Sequence, residues 1–217
     1  RLIACLLLLS STLSLTAQGG VSTFEIVENK GQWDNRIKYK CELATGEFYL
    51  HQNGFTVVQH NAKELMRIMR HTHGHDQGQE MRSSKKPKKG SGQHTGEGEG
   101  GENTGNVLHS HAYRVQFLQG NESPVIMPDK AIASYNNYFI GNDPTKWVKH
   151  AKIYQAVTYK NVYPNIDIRY YSENGSLKYD IIVHPGGDIS RVLLRYEGVD
   201  KLQVKNNELI IKTSVGD

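Results

Sequence analysis

The stretch AVTYKNVYPNIDIRYY (residues 156–171), with SLKYDIIVHP (176–185), RVLLRYEG (191–198), KLQVKN (201–206) and ELIIKTS (208–214) after it, decides the fold. Each run is rich in β-branched and aromatic residues that alternate with polar ones, the period-2 signature of a strand with one face in a core. The turn-forming sequences SENGS (172–176) and KNNE (205–208) are short enough to make tight hairpins. Strands recurring every 8–12 residues or so, with little helical pattern between them, predict a mainly β chain built as an antiparallel β-sandwich.

The pattern extends upstream. FEIVENKGQW (24–33), RIKYKCEL (36–43) and EFYLHQNGFTVVQH (47–60) read as strands, with Asn53-Gly54 as the expected type I′ turn of a hairpin. NAKELMRIMR (61–70) predicts one short helix, with Asn61 as N-cap, Glu64 at the third helical position and Leu65, Ile68 and Met69 on one side. In VLHSHAYRVQFLQG (107–120), alternation puts His109, His111, Tyr113, Val115 and Phe117 on one face. Pro124, Pro128 and Pro144 predict an extended, looped segment over 121–150, with a single helical turn capped by Asp143.

Composition locates the core. Hydrophobic residues are 37% of the 217 and Gly adds 21 residues. The deficit is concentrated at 71–106, which lacks Val, Ile, Leu, Phe, Trp and Tyr and holds nine of the glycines. A segment so poor in apolar surface cannot offset an ordering cost of about 1–2 kcal/mol per residue, so a long disordered His/Lys/Gly-rich insertion is expected there. Residues 18–70 and 107–217 then form two parts of one sandwich domain. The first seventeen residues, an apolar run after Arg1 that ends in Leu15-Thr16-Ala17, read as a signal peptide too short to span a bilayer. Cys5 leaves with it, and Cys41 is expected as a small buried side chain without a disulfide partner. The absent initiator Met and the end at LIIKTSVGD predict a fragment of a longer exported protein, extracellular or on the outer cell surface. These features exclude a membrane-embedded body, a wholly disordered chain and a disulfide-dense miniprotein, and a net charge of +4 demands no nucleic-acid partner.

ENKGQWD (28–34), NYFIGNDPTKW (137–147), YKNVYPNIDIRYY (159–171), LKYDIIVHPGGD (177–188) and YEGVDKL (196–202) together resemble the N-terminal β-rich domain of large secreted bacterial surface proteins. Those proteins often carry SBBP-type β-propeller repeats and a C-terminal type IX secretion sorting domain. The resemblance implies a non-catalytic domain of unassigned role, with downstream domains of the same protein as its first partners and a cell-surface protein or glycan as another. It supplies no catalytic residue, and the family's usual link from helix to the HAYRVQF strand is shorter than the one in this chain.

Four groups of residues invite a chemical reading. His71, His73 and His75, spaced i, i+2, i+4, could bind Zn²⁺, Ni²⁺ or Cu²⁺ with help from Asp76, His109 or His111, although a His-rich tract also takes up such ions adventitiously and no cofactor is otherwise implied. Arg82, Lys85, Lys86, Lys88 and Lys89 form a basic run without interleaved aromatics, read as a solvated loop. Seven of twelve tyrosines fall between Tyr135 and Tyr171, as a sugar- or protein-binding platform or, more simply, as cross-strand core pairs. Asp167 and Asp180, expected to face each other across a hairpin, could be imagined as a glycosidase pair, but cross-strand charge pairing accounts for them. No Gly-x-Ser-x-Gly elbow, His-Glu-x-x-His helix or phosphate loop is present, so no enzyme is predicted.

Overall fold

A computed structural model of the protein describes residues 25–73, 107–173 and 176–216, with the side chains of Thr72 and His73 excepted. The elements in chain order are β1 (Ile26–Glu28), β2 (Ile37–Leu43), β3 (Gly46–His51), β4 (Gly54–His60), α1 (Ala62–His73), β5 (Ser110–Leu118), β6 (Val125–Tyr138), β7 (Val148–Tyr163), β8 (Ile166–Glu173), β9 (Ser176–Val183), β10 (Leu193–Glu197), β11 (Lys201–Lys205) and β12 (Glu208–Lys212). The protein is mainly β and antiparallel, with a single α-helix among the described residues. The expected signal peptide and all of the expected insertion beyond His73 lie outside the described residues.

One curled sheet supplies both layers, in the order β10-β5-β4-β3-β2-β1-β7-β8-β9, with β6 on β7. β7 is the spine. Tyr154 pairs with Ala131 of β6 and Ile26 of β1, while Ala156 pairs with Asp129 of β6 and Tyr171 of β8. β6 therefore runs along one edge of β7, and β1 and β8 lie end to end along the other. The layer containing β1 to β5 and the layer of β8 and β9 both spring from that edge, which is why most of β7 from Ile153 to Tyr163 is buried. Across the gap, Phe48 and Phe55 meet Tyr170 at ring-centroid distances of 5.7 and 5.9 Å, and Phe117 meets Tyr159 at 6.4 Å. The Tyr163 hydroxyl, from the far end of β7, accepts from Leu193 N–H (3.2 Å) and lies 2.9 Å from Leu193 O, tying β10 to the spine. Val27, Ala151 and Ile153 form a smaller core on the opposite face, beneath Trp33 and Tyr138.

The clustered tyrosines are therefore mostly core: Tyr154, Tyr159, Tyr163 and Tyr170 are buried. Burial is also the fate of Cys41, whose thiol is pushed up to about 12 by desolvation, as an inert packing residue requires.

Two local expectations shift. The β3–β4 hairpin forms, but its turn residues are Gln52 and Asn53, with His51 opposite Gly54. Only Gly54 has positive φ (+116°), and a Cβ there would sit 2.0 Å from Val115 O of β5. Gly46 ends the preceding hairpin in the same way, with Val58 O 1.9 Å from a Cβ. Each glycine thus serves a close strand crossing as well as a turn. The type I′ geometry occurs instead at Asn206-Asn207 between β11 and β12, where both residues have positive φ. Asn61 caps α1 as expected, its Oδ1 accepting from Lys63 and Glu64 N–H, and the helix continues through His73. Glu64 reaches away from the cap and accepts from His109 N–H (2.7 Å) and Nδ1 (2.9 Å), which clasps the helix to the strand that resumes after the insertion.

Candidate functional site

Two of the sequence stretches singled out above, 159–171 and 177–188, converge on a buried charge. Asp167, flanked by Ile166 and Ile168 in β8, is 2% exposed. Its Oδ2 accepts from Lys160 Nζ (2.7 Å) and His184 Nε2 (2.8 Å), and its Oδ1 accepts from Asn161 N–H (2.8 Å). Burial alone would raise its pKa, yet the bonds from Lys160, Asn161 and His184 outweigh it and hold the carboxyl below its ordinary range. The bond to Asp167 orients the imidazole, and the turn after β9 is held by His184 N–H to Asn165 O and Gly187 N–H to His184 O, both 2.8 Å. As built, the cluster joins β7, β8 and the end of β9. Asp180 is not its partner: the register sets Ile182 opposite Asp167 and Asp180 opposite Arg169, and Arg169 pairs with Asp129 (2.9 Å). The expected confrontation of the two aspartates is thereby replaced by separate partners, with Asp167 held by Lys160 and His184 and Asp180 accepting from the Tyr171 hydroxyl (3.3 Å).

The stretch 137–147 builds a different feature. β6 and β7 form a long ribbon whose last pair is Tyr138 with Val148, and the chain between them makes a rigid tip. Asp143 caps a 3-10 turn at Pro144–Lys146, accepting from Thr145 N–H (3.0 Å), and Trp147 Nε1 donates to Gly141 O (3.2 Å). This frame holds Phe139 and Trp147 edge to face at 5.3 Å and leaves three apolar side chains in water: Phe139 is 56%, Ile140 59% and Trp147 38% exposed. Rigid aromatics displayed together are the usual anchors of an interface. The outer edge of β6 has no strand partner among the described residues. Pro128, the positive φ of Lys130 and two register shifts interrupt it, which discourages pairing by a further strand.

Of the expected metal ligands His71, His73 and His75, only His71 has a described side chain. His71 is exposed on the last turn of α1, His73 ends the helix, and His75 lies outside the described residues. On a helical backbone, positions 71 and 73 stand about 200° apart. His109 precedes β5 rather than lying in it and is held by Glu64. His111 spends both ring nitrogens on the last hairpin, with Nε2 donating to Gly198 O (2.6 Å) and Nδ1 facing Ser214 N–H (3.2 Å) and Oγ (2.9 Å). No group of three or more His, Cys, Asp or Glu able to hold a metal occurs among the described residues. No helix among them is long and apolar enough to cross a membrane.

The family model for a domain of unknown function, DUF7948, matches residues 26–217, from the first residue of β1 through β12. The chain belongs to the DUF7948 family. No curated protein and no solved structure matches it. The DUF7948 match covers the Asp167 cluster, the ribbon tip and the curled sheet, so all three belong to one domain.

Lys160 and His184 escaped the sequence reading as site residues. A lone Asp between two Ile in a buried strand is the signal that could have found them, since a buried carboxylate must have partners.

Proposed function

We propose that this DUF7948 domain is a non-catalytic module at the head of a larger exported protein, extracellular or on the outer cell surface, and that it binds a protein surface through the tip of the β6–β7 ribbon. The observation that carries the reading is the solvated trio Phe139, Ile140 and Trp147 on a hydrogen-bonded frame. Exposed apolar side chains held rigidly together mark interaction sites more often than they mark accident. The leader-like N-terminus and the resemblance to secreted surface proteins with SBBP repeats and a sorting domain support the location.

The test has two arms. Protease applied to intact cells that make the full-length protein should digest this domain, and protection would refute the location. The double variant Phe139→Ser, Ile140→Ser should fold as wild type, because both side chains are more than half exposed. It should lose affinity for the protein's binding partner by about thirtyfold or more, the effect of removing a hot spot worth about 2 kcal/mol. Unchanged affinity would remove the ribbon tip from the account. Metal binding by His71, His73 and His75 is a separate reading, and indistinguishable Zn²⁺ titrations of wild type and a triple Ala variant would end it.

A further inference from the structure

An open cleft of about 620 Å³ lies between the loop before β2 and the β3–β4 hairpin and extends to Arg114 of β5. Its volume falls in the range of small-molecule sites, roughly 300–1,000 Å³. Its floor is a register row across three strands: Tyr49 of β3 opposite Thr56 of β4, and Thr56 opposite Arg114. The charge balance is one-sided. Asp34 is the single acid in the lining and is already satisfied by a bidentate pair with Arg36, both contacts being 2.9 Å. Lys38 and Arg114 make no ion pair among the described residues; Glu197 of β10 stands opposite Arg114 in the register but is paired with Arg195 (3.8 Å), and it lies outside the lining, which keeps a surplus of two cations. The remaining lining is neutral and, Ile37 apart, polar. His51 bonds Thr56 Oγ1 at 2.8 Å, and the Asn53 amide has no hydrogen-bond partner, its Oδ1 being shut off from solvent.

We propose that this cleft binds a carboxylated sugar of an acidic polysaccharide, with Arg114 and Lys38 holding the carboxylate and Tyr49 flanking the sugar ring. A guanidinium matches a carboxylate with two parallel hydrogen bonds, which a lysine alone cannot supply. The aromatic ring offers the apolar face of a sugar a contact of large area and small rotamer cost. Sugar hydroxyls both donate and accept, so one of them can donate to the Asn53 Oδ1 once that amide turns toward the cleft. A phosphate-binding site would be expected to gather free backbone N–H groups at a nest or helix start; here strand faces join the turns at 34–36 and 52–53, and the Arg36 N–H of the first already donates to Asp34 Oδ1 (2.9 Å).

The site is remote in sequence from the ribbon tip and stands or falls separately. Titration calorimetry on the full chain tests it with three probes: oligogalacturonate, the same oligomer fully methyl-esterified, and inorganic phosphate. The account expects binding of the acid oligomer, with affinity at least about tenfold lower for the ester, in which the charge is gone and the ring remains. Arg114→Gln, an exposed position, should weaken the acid oligomer by about tenfold without moving the urea midpoint. Tyr49→Ala should weaken it as well. The Phe139→Ser, Ile140→Ser variant should bind the oligomer as wild type does, which separates this site from the ribbon tip. No heat with the acid oligomer, equal affinity for the ester, equal affinity for phosphate, or an Arg114→Gln variant that binds as wild type would each overturn the proposal.

Discussion

Replacing Asp167 by Asn keeps the shape of the side chain and removes the charge that three donors address. The amide oxygen can keep the two bonds made to Oδ2, from Lys160 and His184, or the one made to Oδ1, from Asn161. Its NH₂ then meets the donor or donors on the other side, Asn161 N–H in the first case and the Lys160 ammonium with His184 Nε2–H in the second. A hydrogen bond to a charged group contributes about 1.5–3 kcal/mol, and breaking one side of a buried pair costs about 3–5 kcal/mol. Lys160 and His184 are 40% and 46% exposed at the side chain, so water takes over part of their solvation and the lower end applies. The expected loss is about 2–4 kcal/mol, which at a urea m-value of about 2 kcal/mol/M moves the midpoint down by about 1–2 M. The pH dependence carries the same signature. The folded-state pKa of Asp167 lies below the ordinary carboxylate value, so its stabilisation is complete above that value and is lost as pH falls through the folded one. Wild type should therefore converge on the Asn variant as the solution is acidified through that range. Urea melts of both proteins at neutral and acid pH are the assay. A neutral-pH difference below about 0.5 kcal/mol, or a gap that does not narrow in acid, would refute the reasoning.

Tyr170 and Tyr159 are adjacent in the core but differ in their hydroxyls: the first is buried without a partner, and the second donates to His51 O at 2.7 Å. Tyr170→Phe should leave stability unchanged or raise it by about 1 kcal/mol, whereas Tyr159→Phe should lower it by about 1 kcal/mol, both read from urea midpoints. Gly54→Ala should cost more than about 3 kcal/mol or prevent folding, since its methyl would overlap the Val115 carbonyl at a positive φ, and circular dichroism with urea melting checks it. His111→Ala should free the β11–β12 hairpin, seen as faster amide exchange at Lys201–Lys205 and Glu208–Lys212 with little change in the β7 core.

The strand rhythm was legible because a period-2 pattern directly reports which face is buried, and β8, β9, β11 and β12 fall on the runs that open the sequence reading. Asn61 and Asp143 were legible as caps because capping depends on neighbours two or three residues away. What escaped depends on residues far apart in the chain. Gly54 marks a turn in sequence, but its closest contact is a carbonyl of β5, sixty-one positions on, which no local pattern encodes. The same holds for Asp167 and His184, brought together by a turn, and for His111, whose partners Gly198 and Ser214 lie beyond five and seven further strands. Alternation put Asp167 and Asp180 on one hairpin, but a register offset of two residues separates them. The apolar ribbon tip was read as turn chemistry, and its exposure became visible only once β6 and β7 were seen to extend as a pair.

The central claim, that the ribbon tip is a protein-binding surface, is tested most directly by a photo-crosslinking side chain placed at position 139 of the full-length protein in the cells that export it. The account predicts one reproducible protein adduct whose crosslinked peptide can be identified. Excess wild-type domain should suppress it, and excess Phe139→Ser, Ile140→Ser domain should not. A crosslinker at position 139 that yields no adduct above one at the exposed, polar position Lys201 would contradict the account.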